Sequence, residues 1–539
     1  MAVPLESPRN SIEYCETFAE GETLFPPLEP VHSPPPVARK KPWALFAFLI
    51  CAMITVVDMG VFIANPPQTR IFEANICLKY YREADPSVIP ADGIIPEKLC
   101  KVDRVQQRLA SIFGWQDMFD ALPGIFLAVP YGALADRVGR KWVFIASLAG
   151  LLLSFAWGLM ICYFTSLPLQ LTWFSSAFLV IGGGPMVAIA IGITMMSDIA
   201  PPEKRTTIFL YVTACVLVSE MVAPILAARL MESGDWLPLM LAMGIQVSGA
   251  MIALFLPETL HLRDLPEPKD RDLQTFELQP TTSDFHWRSQ IRNFQATVHF
   301  LRDDWTVALV VFTFLIHRLG RQAMGLLVRY ASKRYTWEIK KAAYLTSFRA
   351  GTNLVVVATI LPLVNYILLK RLRLPSHWAD CYLARGSIIL TTISFLIMGV
   401  AAQPGLLIIG LLVFNMGTGY SAAMRSVSIH VIGGQSSPNV GKLMSTLAMA
   451  EAIGSMVAGP LLNELFEIGM DMGSAWLGLP FLGSVVVFAF MTVATFAIDV
   501  KDKEPAYIEV HSEDDDIFDE ERPTAMLERE DITRSRNPL

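Results

Sequence analysis

Apolar residues in this chain gather in long runs instead of alternating with polar positions. Twelve runs stand out, at 43–64, 110–131, 142–163, 170–196, 207–230, 236–257, 307–327, 343–369, 382–402, 405–426, 440–464 and 475–498. A stretch of about 18 or more apolar residues with few charges matches the length of a helix crossing a bilayer. The pattern predicts an all-α membrane protein with twelve transmembrane helices. The polar, proline-bearing stretch after Pro257 (Pro266, Pro268, Pro280) divides the runs six and six. Five regions follow: a disordered cytoplasmic tail (1–42), a six-helix bundle (43–257), a cytoplasmic loop (258–304), a second six-helix bundle (305–498) and an acidic disordered cytoplasmic tail (499–539). Phe285, Ile291, Phe294 and Val298 in the loop predict an amphipathic helix lying along the membrane face.

Composition supports the same class. Of 539 residues, 53% are hydrophobic and 17% charged, which excludes an ordinary soluble domain. The net charge of −7 comes largely from acidic clusters at 513–516 and 519–521, so it says little about the membrane part. No basic patch of nucleic-acid type is visible, and no nucleic-acid partner is expected. Lysines and arginines mark cytoplasmic ends: Arg39–Lys41, Arg137–Lys141, Lys204–Arg205 and Lys370–Arg373. An even number of spans then leaves both termini in the cytoplasm. One short segment, with Arg329, Lys333, Arg334, Lys340 and Lys341 after the seventh run, breaks that charge rule. The proline-rich first forty residues do not form a cleavable leader, so the first run is expected to remain.

Cys51, Cys162, Cys215 and Cys381 lie in or beside apolar runs and read as small apolar fillers. Cys77 and Cys100 both fall in the expected non-cytoplasmic loop 65–109. There they could bridge or stand as two free thiols.

Between the second and third runs lies Gly132-Ala-Leu-Ala-Asp136-Arg137-Val-Gly139-Arg140-Lys141. The glycines permit close approach and a sharp reversal. Asp136 precedes a helix whose positive end favours a carboxylate. After the fourth run comes Asp198-Ile-Ala-Pro-Pro-Glu203-Lys-Arg205, and Pro257-Glu258-Thr259 follows the sixth. The first string resembles the G-x-L-x-D-R-x-G-R-K turn of the major facilitator superfamily, and the second its turn between spans 4 and 5. Segments such as Pro67–Glu73, Gly114–Asp120 and Tyr330–Tyr335 resemble a fungal branch of its drug and metabolite permeases. The resemblance implies two bundles rocking about a central site. It also implies a cytoplasmic gate made by Gly132, Asp136, Arg137, Gly139, Arg140, Lys141, Asp198, Glu203 and Arg205, facing the region 439–442. The sequence departs from the antiporter pattern: Phe178 stands where an arginine is usual, and Ala223-Pro224 replaces a glycine-proline pair.

Ionisable groups at bilayer depth cost about 2.5–3.5 kcal/mol on insertion scales and mark function by default. Asp58, Asp117, Asp120, Glu220, Arg321 and Glu451 lie well inside runs and are the coupling candidates. Asp117 and Asp120, three apart, would share a helix face and one proton. Arg321 would meet an anion or a carboxylate. Arg349 sits near the outer end, Arg385 and Arg425 near the inner end, as headgroup or gate residues. His317 reads as packed or as a proton group, and Gly182–Pro185 as a kink with close helix packing.

A secondary transporter follows, exporting a small organic compound with proton coupling. Uptake of an organic anion or nutrient, and a transporter-like nutrient sensor, are the alternatives. No enzyme chemistry, metal site or cofactor is expected. The expected partners are a small-molecule substrate, protons and the bilayer, with the protein a monomer in the plasma membrane.

Overall fold

A computed structural model describes residues 43–91, 93–199, 205–259, 305–432 and 440–498. The two tails, most of the central loop and the turns at 200–204 and 433–439 lie outside the described residues. So do Glu203, the side chain of Arg205 and the expected helix at 285–300.

The described chain is nearly all helical, with no strand among the described residues. In the first half run α1 (Trp43–Ala84), α2 (Asp103–Val138), α3 (Arg140–Tyr163), α4 (Gly184–Ile199), α5 (Arg205–Leu230) and α6 (Trp236–Phe255). In the second run α7 (Trp305–Arg334), α8 (Ile339–Arg371), α9 (Ser376–Gly399), α10 (Pro404–Val431), α11 (Val440–Asp471) and α12 (Ser474–Ala497). Ten of these twelve are long and apolar enough to cross a membrane. The other two are α11, which carries Glu451 near its middle, and α4, which is short. The fourth run is broken: a 3-10 turn (Leu169–Phe174) and a short helix (Ser175–Phe178) lead into three consecutive glycines with positive φ, Gly182 to Gly184, before α4 starts. The kink expected there is thus an interruption. Ser147 Oγ donates to the carbonyl freed at Gly182, 2.6 Å away, so the broken backbone stays satisfied in the membrane.

Two expectations shift at the ends. The region 65–109 is not mainly loop: α1 runs on through Pro66 and Pro67 to Ala84, and α2 begins at Asp103. Proline removes one helical donor and is tolerated where neighbouring helices hold the backbone. Here Phe72 stacks on Phe113 of α2 (5.3 Å), and Asn75 donates to the Cys162 carbonyl of α3. α7 likewise continues past residue 327 to Arg334 through a 3-10 turn at Met324–Leu326. Arg329 and Lys333 are therefore helical residues, not loop charges.

Within the first half α1 packs on α5 and α6, and α3 on α4 and α6; within the second, α7 packs on α11 and α12, and α9 on α10 and α12. Phe395, Phe481 and Phe488 interlock in the second core, with Phe395 and Phe488 edge to face at 5.0 Å. Large apolar side chains such as Phe48, Phe255 and Phe490 point outward, as a lipid-facing surface requires. The halves meet along α2–α11 and α5–α8. At the first crossing a methyl group on Gly459 would lie 2.6 Å from Asp117 Cβ, so only glycine admits this approach.

Candidate functional site

A cavity of about 830 Å³ lies between the halves, walled by α1, α2 and α5 on one side and α7, α8 and α10 on the other. Its charges come in facing sets. Glu220 of α5 is ion-paired with Arg349 of α8, which ties one half to the other. Asp117 of α2 faces Arg329 of α7, and Gln322 lines the same cavity. Arg329 also donates to Asn463 Oδ1 at 2.8 Å and lies over the Phe113 ring, 4.4 Å from its centroid. Arg321 lines the same cavity and, among the described residues, makes no ion pair. His317 lines it too and stacks on Tyr420 at 5.3 Å.

A second cavity of about 250 Å³ lies inside the first half and contains Asp120. That carboxylate accepts from Ser176 Oγ and from Gln116 Nε2, the latter at 2.8 Å. Asp117 and Asp120 thus line different cavities, although the two carboxylates still feel each other's charge. Positions three apart differ by about 60° around a helix. Here that angle turns Asp117 toward the interface of the halves and Asp120 into the first bundle. Asp58 is half-buried on α1 and lines neither cavity. Glu451 also lies outside both, held by Arg425 Nη2 at 2.7 Å. Arg385 donates to the carbonyls of Phe496 and Ile498. Arg349, expected near the outer end as a headgroup or gate residue, lines the cavity and pairs across the halves.

The turn between α2 and α3 uses its residues unequally. Gly139 has φ +116° and allows the reversal, and a side chain there would strike the Glu258 carboxylate. Glu258 accepts the Arg140 N–H at 2.9 Å and the Lys141 N–H at 3.2 Å, capping the positive end of α3. That role was expected of Asp136. Asp136 is 60% exposed and reaches Arg140 only at 3.4 Å. Buried Arg140 is ion-paired with Asp198 at the end of α4. Arg137 is exposed, and Lys141 lies over the Trp142 ring. Gly132, expected to allow close helix approach, has nothing among the described residues within 4 Å of where a side chain would start.

The opposite end carries a cluster that the sequence reading missed. Cys77 and Cys100 are disulfide-bonded, Cα atoms 5.3 Å apart. Beneath them Glu73, fully buried, accepts from Lys101 Nζ (2.6 Å), Gln106 Nε2 (2.5 Å) and Arg70 Nη1 (3.1 Å). Arg70 reaches Asp235, where burial raises the carboxyl above its ordinary range while the guanidinium pulls the other way. The same lid touches the second half. Glu97 Oε1 accepts the Ile339 N–H (2.7 Å), Lys333 pairs with Asp103 (2.6 Å), and Gln107 donates to Asp471 (2.6 Å).

A bundle of apolar helices with a polar cavity between its halves invites comparison with known proteins. Residues 105–459 match the family model described as Major Facilitator Superfamily. The chain belongs to the Major Facilitator Superfamily. It is 34% identical to the "MFS efflux pump atnC" of Emericella nidulans, over 88% of this chain and 93% of that one. It is 32% identical to the "Efflux pump ustT" of Aspergillus flavus, over 78% and 81%. Among solved structures the nucleoside transporter NupG superposes with a TM-score of 0.56 at 13% identity, covering 84% of this chain and 100% of that chain, which speaks for the fold. The protein is thus a multi-pass membrane transporter of a fungal branch of this superfamily, handling a small molecule.

Proposed function

We propose that this transporter exports a small organic compound by alternating access, with protons as the coupling ion. The observation that carries the reading is the Glu220–Arg349 pair, which joins the halves inside the central cavity. A proton on Glu220 releases Arg349, and the released guanidinium loosens the contact between α5 and α8. Proton binding thereby changes the free energy of one arrangement of the halves relative to the other, as coupling requires. Asp117 facing Arg329 forms a second set of the same kind. The printed names of two relatives, both efflux pumps, favour export.

In this reading the α2–α3 turn is cytoplasmic, both termini are cytoplasmic, and the protein works as a monomer in the plasma membrane. The disulfide end is closed and the turn end open. The exposed Asp136 supports that assignment. Gly132, Asp136 and Arg140 then close on α11 in the other state. Asp136→Asn and Gly132→Leu are expected to reduce flux while leaving thermal stability near wild type; unchanged flux in both removes the gate.

The direct test uses inside-out vesicles with an imposed pH gradient and a panel of small amphipathic compounds, read by gradient dissipation. Compound entering the lumen as protons leave supports export. Compound and protons moving together supports uptake instead. No dependence on the gradient in any case removes proton coupling.

A further inference from the structure

We infer that the transported compound carries a single negative charge, such as a carboxylate, on an apolar body, and that Arg321 receives the charge. This rests on the transport reading for the central cavity and names its substrate class.

The argument starts from a charge inventory. Among the described residues lining the cavity, Asp117 faces Arg329 and Glu220 is paired with Arg349. Arg329 is further fixed by Asn463 and the Phe113 ring, so it is not available to a ligand. Arg321 remains, with no carboxylate partner, and the cavity keeps one net positive charge. A guanidinium held in a membrane without a counter-charge is costly, and its five N–H donors match a carboxylate in two-point fashion. The wall beside it is open: at Gly325, one turn along α7, a side chain would meet nothing within 4 Å. The same cavity is also lined by apolar surfaces, Phe62 and Val216 from the first half and Phe414 and Phe488 from the second. A charged head at Arg321 and a ring or chain against these walls fits that distribution. A cation would meet Arg321 unscreened, and a neutral compound would leave it unpaired.

The full-length protein in lipid nanodiscs tests this by binding, independently of transport. The probes are 1-naphthoate, neutral 1-naphthamide and cationic 1-naphthylmethylammonium, followed by tryptophan quenching at low salt. Wild type is expected to prefer naphthoate over both others by about tenfold or more, the scale of a charge-assisted bidentate contact. Arg321→Gln is expected to erase the preference, and Arg321→Lys to keep part of it. Should Arg321→Gln not fold, the wild-type ranking and Arg321→Lys still decide. Equal binding of the three probes, no naphthoate binding up to about millimolar concentration, or full preference retained in Arg321→Gln overturns the inference. Selective anion binding without gradient-driven flux would instead remove proton coupling and leave the anion site at Arg321 standing.

Discussion

The two ends of the molecule are bonded in opposite ways. At the disulfide end the halves are tied to each other, through Asp103–Lys333, Glu97–Ile339 and Gln107–Asp471. At the turn end, among the described residues, ion pairs stay within one half: Arg140 with Asp198 and Asp136, Arg425 with Glu451. Burial follows the same division. Glu73 is 0% exposed, and Arg140 and Asp198 are 4% and 7% exposed, all bonded inside the first half. Asp103, bonded across the halves, is 61% exposed. Buried pairs are hard to break one partner at a time, while exposed pairs contribute at most about 1 kcal/mol. The most buried of these pairs lie inside the first half, and each tie at the disulfide end has an exposed or a backbone partner. Glu220–Arg349, and Asp117 facing Arg329, are the exceptions, buried and crossing, which is where a proton would have most leverage.

The comparison breaks most severely at Glu73. Glu73→Ala leaves Arg70 and Lys101 buried without their shared carboxylate and is expected to destabilise the protein by about 3–5 kcal/mol, seen as a large fall in Tm in detergent. A smaller loss comes from Cys77→Ser with Cys100→Ser: opening the bridge should lower stability by about 3 kcal/mol. Labelling free thiols in the native protein checks the bridge itself. Smaller again is Lys333→Ala, at about 0.2–1 kcal/mol. Its sharper effect is on populations: a few-fold faster alkylation of a cysteine placed at the disulfide end of the cavity, as the weakened tie lets that end open. The smallest effect concerns pH. The Asp235 carboxyl is raised by burial, so the folded state holds its proton more tightly than the unfolded one. Its contribution to stability is then present below the ordinary aspartate range and is lost as pH climbs through the raised value. Asp235→Asn should flatten that decline, and a Tm–pH curve that overlays wild type would remove the argument.

How far this was legible in the sequence depends on the kind of signal. Runs of apolar residues fix helix number, because bilayer thickness sets their length. The turn motif was readable because Gly139 needs positive φ and Arg140 a carboxylate. What it did not carry was the partner: Glu258, in a Pro-Glu-Thr step, caps α3, and nothing local marks it. Arg329 was placed in a loop because a basic residue at the end of an apolar run looks like a headgroup anchor. Its spacing of eight from Arg321, on one helical stripe, was the available clue. The spacing of Asp117 and Asp120 did not show that they would line two cavities, since about 60° around a helix was enough to turn them apart. The lid cluster of Arg70, Glu73, Glu97 and Lys101 was hidden because α1 was ended at its prolines.

The central claim is that the two ends exchange: the weak ties at one open as the other closes. Two spin-label pairs in nanodiscs test it most directly, Leu134 with Met449 toward the turn end and Arg104 with Met472 at the disulfide end, all on exposed positions. As pH is stepped from mildly alkaline to mildly acidic, the first distance is expected to shorten while the second lengthens. Distances that stay fixed, or that change in the same direction, would contradict the account.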